Sequence, residues 1–470
     1  MAKKYCITTA IDYVNDTIHV GHAYQKVMAD VMARFHRCLG EEVFFLTGTD
    51  EHGAKALEAA EKVNLSPQEF VDNISTQDKE ELRSFNISWD RFIRTTDEDH
   101  IKQVIDFYNK VKKNGDIYLG KFEGWYCRGC EEYKTASELK DGHCPHHPHQ
   151  KIEKLSEENY FFRLSKYEDF LKNHFKNNPS FCRPEGRRRE MMAFLDQGLK
   201  DISISRQAVS WGIPVPDDPK QTIYVWFDAL INYLTGVPTA FWPVDLHLLG
   251  KDNTRFHAIL WPAMLKSAGY SLPKTVYCHG FLTLNGQKIS KSLGNIIRPS
   301  ELITRFGADG ARYVLLTATT LASDGDISWQ KMIEKYNADL ANGLGNLTAR
   351  LVKLCQMADF NYQGKELPFR DVVGKDYYRD MKNYAINKVL NLIWVRIGRL
   401  DHFINEKEPW QIKNEKELVE ILQFAVEKLL VIAVLLRPFL PETSDKVIQC
   451  FSNKKITGGE SLFPRINNNV

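Results

Sequence analysis

Apolar and polar positions change their period several times within the first fifty residues. Residues 5–11 form a short β-favouring run, and residues 42–46 form a second short and mostly apolar run. Between the two runs, apolar side chains recur every four positions, which predicts a helix; they are Ala23, Val27, Val31 and Phe35. Gly40 is predicted to end this helix, and residues 47–53 are predicted to form a turn. Strand, helix and strand in this order predict a parallel, doubly wound sheet.

The rest of the chain divides into an insertion, a return to the sheet and a helical region. Residues 117–219 are rich in turns and charge, which indicates an inserted domain. Three short strands then follow and are predicted to complete the first sheet; they are residues 222–227, 247–250 and 275–280. From about residue 331 the pattern is helical. The predicted fold class is α/β, a doubly wound parallel (Rossmann-type) sheet with an inserted connective domain and a C-terminal α-helix bundle.

The bulk composition narrows the class of protein further. The 470 residues suit two to four domains, and 43% hydrophobic with 26% charged residues is ordinary for a globular protein. The net charge of +2 does not indicate a nucleic-acid partner, so any polyanion site must be a local patch. The longest apolar run, residues 429–436, is too short to cross a bilayer, and the amino terminus lacks a signal-peptide pattern. We therefore expect a cytoplasmic protein with no membrane partner.

A His-Val-Gly-His sequence, residues 19–22, lies between the first predicted strand and the first helix. Ligands bind at this edge of a doubly wound sheet, and a helix N-terminus offers backbone N–H groups and a positive dipole end to phosphate. His19 and His22 are three residues apart, so one helical turn places both rings on one side, and Gly21 permits close approach to the backbone. Taken alone, the motif fits two surface histidines beside a turn equally well.

A second basic motif, Lys-Ile-Ser-Lys-Ser at residues 288–292, lies between Gly286 and Gly294, which predicts a mobile loop. Lys288 and Lys291 could follow negative charge as it moves onto a leaving pyrophosphate. A solvated basic loop is the alternative interpretation. The two motifs stand on opposite halves of one predicted sheet, and their joint presence predicts a site that handles the phosphates of ATP.

The cysteine pattern indicates a metal site rather than a disulfide framework. Nine cysteines are present, and three of them cluster inside the insertion as Cys-Arg-Gly-Cys followed by Cys-Pro-His-His. Two tight pairs separated by a short loop are typical of tetrahedral zinc. We predict one structural zinc ion per chain, with the ligands Cys127, Cys130, Cys144 and His147. The fourth ligand has alternatives, which are His143, His146 and His149.

With these motifs in place, the sequence resembles the class I aminoacyl-tRNA synthetases, whose signatures are HIGH and KMSKS. Val20 and Ile289 depart from those signatures but keep an apolar side chain at each position. More narrowly, the chain resembles the methionyl-tRNA synthetases over nearly all of its length. The matching segments are residues 10–15, 45–53, 224–229, 250–252, 256–257, 260–264 and 403–410.

This resemblance implies an enzyme that attaches methionine to tRNA(Met) in two steps. Methionine and Mg·ATP would form methionyl-adenylate and pyrophosphate, and the methionyl group would then pass to the terminal ribose of the tRNA. The implied domains are the two catalytic halves 1–116 and 220–275, the zinc-bearing connective domain 117–219, the KISKS loop and stem-contact region 276–330, and the anticodon-binding bundle 331–470.

The resemblance also implies a role for individual residues by matching positions. The catalytic residues would be His19, His22, Lys288 and Lys291. Contacts to ATP would come from His19, Gly21, His22, Asp252, Gly280, Lys288 and Lys291. Methionine would be bound by Asp50 at its ammonium group and elsewhere by Ile11, Tyr13, Trp226, Ala229, Leu230, Tyr233, His257 and Trp261. The anticodon would be read by Asn342, Asn346, Arg350 and Trp410.

Structural roles remain open for several of these residues. Asp252 could be a helix N-cap, each pocket aromatic could be plain core packing, and Trp410 could fill a helix joint.

Other functions fit the sequence less well. A synthetase for isoleucine, valine or leucine usually has a larger editing insertion, and a nucleotidylyltransferase needs neither KISKS, a zinc knuckle nor a bundle. A cysteine enzyme is expected to carry its zinc in the catalytic domain, and a non-enzymatic RNA-binding relative is disfavoured by the intact motifs. The chain ends soon after the bundle, so we expect a monomer.

Overall fold

The structure is a computed structural model of the chain. It describes residues 3–127, 132–134, 139–145, 152–207, 209–289, 294–362, 364, 367–452, 456 and 461–467. Within these ranges, no helix combines the length and the apolar character that crossing a membrane requires.

The strands of the described residues lie mainly in the first three quarters of the chain. In chain order they are β1 (Lys4–Thr9), β2 (Asp12–Tyr13), β3 (Glu42–Asp50), β4 (Arg91–Arg94), β5 (Ile117–Cys127), β6 (Glu132–Lys134), β7 (Glu153–Phe162), β8 (Cys182–Arg183), β9 (Ile202–Ser203), β10 (Ser205–Arg206), β11 (Pro214–Val215), β12 (Asp218–Ile223), β13 (Leu246–Gly250), β14 (Val276–His279), β15 (Leu282–Leu284), β16 (Gln287–Lys288) and β17 (Gly325–Ile327).

The α-helices of the same residues follow in chain order. They are α1 (Val20–Cys38), α2 (Ala54–Lys62), α3 (Pro67–Ser84), α4 (Glu98–Lys113), α5 (Glu168–Asn177), α6 (Glu185–Asp196), α7 (Val225–Leu230), α8 (Asn232–Gly236), α9 (Trp261–Ser267), α10 (Pro299–Thr317), α11 (Trp329–Lys335), α12 (Asn346–Met357), α13 (Phe369–Val372), α14 (Lys375–Lys382), α15 (Ile386–Lys407), α16 (Glu415–Leu436) and α17 (Pro441–Ser452). Two π-helices, Phe256–Leu260 and Tyr336–Gly345, run directly into α9 and α12.

Seven of the described strands form one sheet in which every pairing is parallel. Their order is β2–β3–β1–β13–β14–β8, with β4 also paired to β3. Ile7 on β1 lies beside Phe45 on one neighbour and Leu246 on the other, and all three side chains are fully buried. The chain crosses to α1 after the central strand β1, as parallel pairing requires. The predicted α/β class with a doubly wound parallel sheet is confirmed.

The predicted strand at residues 222–227 is correct only for its first two residues, and it does not belong to the main sheet. β12 ends at Ile223 and pairs antiparallel with β10 and β11 in a separate small sheet. Helix α7 begins at Val225, and the amides of Phe227 and Asp228 both donate to the carbonyl of Tyr224. Aromatic and β-branched residues favour strands only weakly, and tertiary contacts override that preference here.

The predicted turn at residues 47–53 is also partly wrong. β3 continues to Asp50, because residues 46–49 pair in parallel with β4.

A second difference concerns the predicted insertion at residues 117–219. Its short strand β8 pairs with β14 at the edge of the main sheet, whereas β5, β6, β7 and β9 form a sheet of their own. One segment of the insertion is therefore part of the main sheet.

Helix α1 joins the sheet to the C-terminal half of the molecule. It packs on β1 and β3 from one side and on α10 from the other, so nearly all of its residues are buried. Two of those buried residues are charged, Lys26 and Asp30. Asp30 forms an ion pair of 2.7 Å with Arg312 of α10, and neither side chain is exposed. Arg312 also donates to the carbonyls of Phe439 and Phe85, which ties the bundle to the sheet domain.

Candidate active site

The carboxyl edge of the main sheet gathers most of the predicted site residues. Strands β1, β3, β13 and β14 end at Thr9, Asp50, Gly250 and His279. Because parallel strands present these ends at one edge, the residues that follow them lie close together. Ile11, Asp252 and Gly280 each come within two residues of such a strand end. The edge is therefore the candidate active site.

The His-Val-Gly-His turn begins α1 with a reciprocal capping box. The Nδ1 atom of His19 accepts a hydrogen bond of 3.0 Å from the amide of Gly21, and the Nδ1 atom of His22 accepts one of 3.1 Å from the amide of His19. The two rings are half-buried with centroids 4.0 Å apart. Because both Nδ1 atoms are acceptors, each neutral ring carries its proton on Nε2. The turn thus combines helix capping with two imidazole N–H donors on one side.

Gly21 is explained by the same geometry. A Cβ atom at this position would lie 2.8 Å from Cε1 of His19. Any side chain would therefore push the His19 ring out of its capping position. The sequence suggested close approach of a ligand as the reason for glycine, and the structure adds the space taken by the neighbouring ring.

Lys288 lies on a β-hairpin rather than in an irregular loop. β15 and β16 pair antiparallel around Asn285 and Gly286, whose φ angles of 51° and 75° are those of a type I′ turn. Asp326 accepts hydrogen bonds from the Gly286 amide at 2.6 Å and the Thr283 hydroxyl at 2.8 Å. Lys288 therefore lies on a strand rather than on the predicted loop, whereas the predicted mobility of the motif stays a prediction. Lys291 lies outside the described residues.

The segment that follows KISKS meets the first motif directly. The amide of Val20 donates to the carbonyl of Ile297 at 2.9 Å, and the guanidinium of Arg298 donates to the hydroxyl of Thr17 at 2.6 Å. On the other side, the exposed Lys288 ammonium acts electrostatically on Asp252. Burial raises the pKa of the Asp252 carboxyl, and Lys288 acts in the opposite direction. These contacts join the first motif to the segment after KISKS, and Lys288 to Asp252.

Gly280 connects the main sheet to this hairpin. Its amide donates to the carbonyl of Leu321 at 2.9 Å, and a Cβ atom would lie 2.2 Å from the carbonyl oxygen of Ser323. Close backbone packing therefore requires glycine at this position, whatever its relation to ATP.

Asp50 ends β3 beside the strand that carries Tyr13. The β2–β3 register places Tyr13 opposite Asp50, and the carbonyl of Asp50 accepts from the amide of Val14 at 2.9 Å. Asp50 is 7% exposed. A carboxylate held this deep at the strand ends suits a substrate ammonium group, since charge-assisted hydrogen bonds are strong where water is excluded.

The residue after Asp50 has a structural role. Glu51 is fully buried and accepts two hydrogen bonds from the guanidinium of Arg94, at 2.7 and 2.8 Å. Its carbonyl also accepts from the indole N–H of Trp211 at 2.6 Å. This bidentate pair fixes the backbone on which Asp50 is placed.

Aromatic rings form the wall of the predicted methionine pocket. The Tyr233 ring lies 5.6 Å from His257 and 5.9 Å from Trp261, and Trp226 lies 6.4 Å from His257. Trp226 also stacks on Phe256 at 3.7 Å. Ala229 and Leu230 follow on α7 and are buried, while Ile11 and Tyr13 are half-buried on the β1–β2 side. The surroundings are apolar and polarizable, as a thioether requires.

Tyr233 and His257, two polar residues of this wall, are already engaged. The Nδ1 atom of His257 lies 3.0 Å from the carbonyl of Asn253, so it must carry the proton. The Nε2 atom then accepts from the Tyr233 hydroxyl at 2.7 Å. Burial lowers the pKa of His257 to about 4, which keeps the ring neutral. Neither of these two protons is therefore directed at a ligand.

A buried carboxylate holds the pocket helix α7 in place. Asp228 accepts 2.7 Å and 2.8 Å hydrogen bonds from His52 Nδ1 and His100 Nε2. Burial opposes ionisation of this carboxyl, but the two histidines outweigh it, and the pKa of Asp228 lies below its ordinary value. The trio links the end of β3, α4 and the helix that carries Trp226. Sequence reasoning missed it, because nothing local relates residues 52, 100 and 228.

Asp78 gives the site domain a pH-dependent stability. It is 2% exposed on α3 and accepts a 2.9 Å hydrogen bond from the amide of Ile18, just before the first motif. Burial, reinforced by the charge of Asp12, raises the pKa of Asp78 to about 7. The unfolded value is about 3.9, so the folded state holds the proton more tightly. The contribution to stability is present below pH ~4 and is lost as the pH rises through about 7.

Replacing Asp78 with Asn should remove this dependence, because the amide oxygen keeps the bond to Ile18 without titrating. We expect the variant to gain on the order of 1–4 kcal/mol over the parent protein at pH 8 and nothing at pH 4. Urea unfolding at several pH values measures the difference. The exposed Glu80→Gln change on the same helix is the control. A difference that stays constant with pH would contradict the prediction.

The predicted zinc ligands are only partly within the described residues. Cys130 and His147 lie outside them, and no cluster of three metal-binding side chains occurs among those described. Cys127 ends β5 and Cys144 follows an Asp-Gly hairpin turn at residues 141–142. Both cysteines are fully buried, although residues 141–143 and 145 are exposed. His143 is exposed and bonds to the carbonyl of Asp141.

The predicted anticodon residues lie on the π-helix Tyr336–Gly345, on α12 and on a short 3-10 helix after α15. Asn342 and Asn346 are exposed, one turn apart. Arg350 follows on α12 and bonds across to α15, to Asp401 at 2.9 Å and Asn405 at 2.8 Å. Trp410 is 48% exposed in a short 3-10 helix after α15, so it does not fill a helix joint. Asn342, Asn346 and Trp410 are thus exposed, whereas Arg350 is already engaged with α15.

Comparison with known proteins identifies the class of protein to which this chain belongs. A family model described as tRNA synthetases class I (M) matches residues 5–156 and 149–352. A methionine–tRNA ligase of Thermotoga maritima is 42% identical over 98% of this chain and 77% of its own length. Another, from Synechocystis, is 42% identical over 95% of this chain and 89% of its own.

Solved structures agree with the sequence relatives. Mycobacterium tuberculosis methionyl-tRNA synthetase in complex with methionyl-adenylate superposes with a TM-score of 0.91 at 35% identity, covering 98% of this chain and all of that one. The free form of that enzyme gives a TM-score of 0.84 at 33% identity, covering 99% of both chains. The fold and the site therefore define a class I tRNA synthetase. Within that class, the chain belongs to the methionine–tRNA ligases, a family of enzymes.

Proposed function

We propose that this chain attaches methionine to tRNA(Met) through methionyl-adenylate. The carboxylate of methionine attacks the α-phosphorus of Mg·ATP, the bond to the β-phosphate oxygen breaks, and pyrophosphate leaves. The terminal ribose hydroxyl of the tRNA then attacks the methionyl carbonyl, and AMP leaves. The chain forms no covalent bond in either step, so its contribution is positioning and electrostatic stabilisation.

Each described group has a place in this scheme. His19 and His22 direct Nε2–H donors from the start of α1 to the triphosphate, and Lys288, together with Lys291, balances the charge of the departing pyrophosphate. Asp252 contacts the ribose and Asp50 the methionine ammonium. The observation that carries the proposal is the direct contact between Val20 and Ile297, which puts the first motif against the chain that leaves the second.

Amino-acid-dependent ATP–pyrophosphate exchange tests the proposal. We expect exchange with methionine and at least about 100-fold lower kcat/KM with isoleucine, valine, leucine or cysteine. Exchange that prefers any of these four, or none with methionine, would overturn it. Charging of tRNA(Met) transcript measures the second step separately.

We propose that the insertion holds one structural zinc ion. Soft thiolates and imidazole are the donors that zinc prefers. Cys144 is a buried thiol in an otherwise exposed turn, and Cys127 is a second buried thiol at the end of β5, which supports this assignment. Cys130 and His147 complete the proposed set. A fully ligated ion of this kind would stabilise the insertion and take no part in the chemistry.

Elemental analysis of freshly purified protein should find about one zinc ion per chain. Replacing Cys144 with Ser should remove nearly all of it, because three ligands bind zinc far more weakly than four. The thermal midpoint should fall as well, since metal binding is coupled to folding. Cys38→Ser, a change in a partly buried cysteine outside the insertion, is the control and should retain the metal. Equal zinc content in the two variants would refute the assignment.

We propose that Asn342, Asn346, Arg350 and Trp410 read the anticodon. Unstacked RNA bases are recognised by stacking on aromatic rings and by hydrogen bonds to their edges. The exposed Trp410 ring offers stacking, and Arg350, which Asp401 already holds in position, offers hydrogen-bond donors. The division into two catalytic halves, a connective domain, a stem-contact region and a bundle, a cytoplasmic location and a monomeric state complete the proposal.

Replacing Trp410 with Ala should weaken charging without affecting adenylate formation. Base stacking is worth about 1–3 kcal/mol, so kcat/KM for tRNA should fall roughly 5- to 150-fold. The Trp410→Phe variant keeps a stacking ring and should lose much less. Both variants should retain methionine-dependent exchange. A parallel loss of exchange in the Ala variant would assign Trp410 a structural role instead.

A further inference from the structure

A lysine is completely buried in the first helix, directly behind the candidate site. Lys26 has no exposed surface, and its ammonium group has three acceptors. These are the carboxylate of Asp12 at 2.5 Å, the side-chain carbonyl of Gln25 at 2.8 Å and the backbone carbonyl of Ala10 at 3.1 Å. An ammonium group has three N–H donors, so every donor of Lys26 is used. Buried charge of this kind is costly unless it is paired and fully bonded.

The acceptors of Lys26 lie on the methionine side of the site. Ala10 and Asp12 flank Ile11, and Asp12 directly precedes Tyr13. Lys26 thus bonds both to the residue before Ile11 and to the residue after it. Burial raises the pKa of Asp12 and lowers that of Lys26, while their mutual attraction opposes both changes.

Further hydrogen bonds lead from Gln25 toward the residues predicted to bind ATP. The amide nitrogen of Gln25 lies 3.2 Å from Nε2 of His279, and the Nδ1 atom of His279 lies 2.8 Å from the carbonyl of Gly280. A carbonyl only accepts, so His279 carries its proton on Nδ1 and accepts from Gln25 on Nε2. Burial lowers the pKa of His279 to about 4, which keeps the ring neutral. Gln25 must then turn its oxygen to Lys26, as observed.

All donor and acceptor assignments along this path are therefore mutually consistent. The path runs from Asp12 through Lys26 and Gln25 to His279, and each of these side chains is at most 8% exposed. It ends at Gly280, two residues before β15, the strand that leads to Lys288. Fully satisfied polar networks in a low-dielectric interior impose one geometry on the groups they join.

We propose that the Asp12–Lys26–Gln25–His279 network positions residues 10–13, which we assign to methionine, relative to the hairpin of β15 and β16, which carries Lys288. Lys26 is the central positioning residue of this network. The inference rests on the proposed function, since it assigns methionine and ATP to the two ends of the network. Reaction requires the methionine carboxylate to lie in line with the α-phosphorus, and misplacement of about 1 Å is enough to cost roughly 100-fold in rate. A network that spans both binding sites is suited to that task.

The test separates positioning from simple charge balance. Lys26→Met removes the donors but leaves the buried Asp12 carboxylate, so both stability and methionine binding should suffer. The double change Asp12→Asn with Lys26→Met removes both charges, and its thermal midpoint should recover most of the loss. Its KM for methionine in exchange should nevertheless stay about 10- to 100-fold raised, because Ala10 has lost its donor. Recovery of stability and KM together would show that Lys26 is only a counter-charge and would overturn the proposal.

Gln25→Leu tests the second half of the network while the Asp12–Lys26 ion pair stays in place, although Lys26 loses one of its three acceptors. It breaks the contact with His279 and should lower kcat about tenfold while KM for methionine changes less than about twofold. An unchanged kcat would overturn the link to the hairpin, even if the Lys26 variants do not fold.

A matched control lies one turn further along the same helix. Asp30→Asn combined with Arg312→Met removes another fully buried ion pair, remote from the site edge. It should change the thermal midpoint but leave KM for methionine and KM for ATP within about twofold of the values for the parent protein. A methionine KM raised as far as in the Lys26 variants would overturn the proposal. Exchange by the parent protein tests the proposed function itself, so its failure is distinguishable from failure of the network.

Discussion

Replacement of His22 with Asn is expected to reduce the kcat of methionine-dependent exchange by about 100- to 1000-fold, the usual loss when one preorganised donor to developing charge is removed. In the structure, Nδ1 of His22 accepts from the amide of His19. The side-chain oxygen of Asn can occupy the position of Nδ1 and preserve that bond. The variant therefore lacks only the Nε2–H donor that we assign to the triphosphate.

Comparison with His22→Ala separates the two functions of the ring. Alanine loses the cap as well, which should cost a further ~1 kcal/mol of stability, whereas the thermal midpoint of the Asn variant should stay close to that of the parent. His22→Gln, which reaches further, should regain part of the rate. Exchange kinetics and thermal unfolding of the three variants measure these differences. Near-normal exchange in His22→Asn would show that the histidine serves only as a helix cap.

Replacement of Asp50 with Asn should raise KM for methionine by about 10- to 100-fold, with a smaller change in KM for ATP. The loss corresponds to one hydrogen bond to a charged group, about 1.5–3 kcal/mol, in a position that is 7% exposed. Asn has nearly the same shape, and the β2–β3 pairing that places Tyr13 opposite residue 50 involves only the backbone. The fold should therefore be retained.

A methionine analogue without the amino group provides the control. It cannot pair with Asp50, so it should inhibit the parent protein and the Asn variant with nearly equal constants. Equal loss of affinity for methionine and for the analogue would show that Asp50 shapes the pocket rather than binding the ammonium group.

Local patterns predicted much of this arrangement. The period of apolar residues in α1, the stop at Gly40 and the strand–helix–strand order all depend on neighbours in sequence, and the parallel sheet follows from them. Two further local signals also bear on the site. Asn285-Gly286 predicts the hairpin that carries Lys288, and Asp141-Gly142 predicts the turn before Cys144.

Other features of the structure could not be predicted from residues that are neighbours in sequence. Residues 222–227 are rich in strand-favouring side chains, and the helix α7 there is held by tertiary contacts such as those of Asp228 with His52 and His100. Lys26 and Asp30 are a partial exception, because two charged residues four apart, each directly before an apolar residue of the helical stripe, indicate buried partners. The pattern does not say which partners these are.

The sequence by itself determined the class of chemistry and the family, because these depend on which groups are present and in what order. His19, His22 and Lys288, with the long matching segments around them, suffice for that. The tertiary structure alone decided which of these groups meet, where each proton lies and which polar atoms are already engaged. Val20 bonds to Ile297, and the only N–H of the His257 ring bonds to Asn253 rather than facing a substrate. The physical reason is that burial and hydrogen bonding are set by residues hundreds of positions apart, which no local period records.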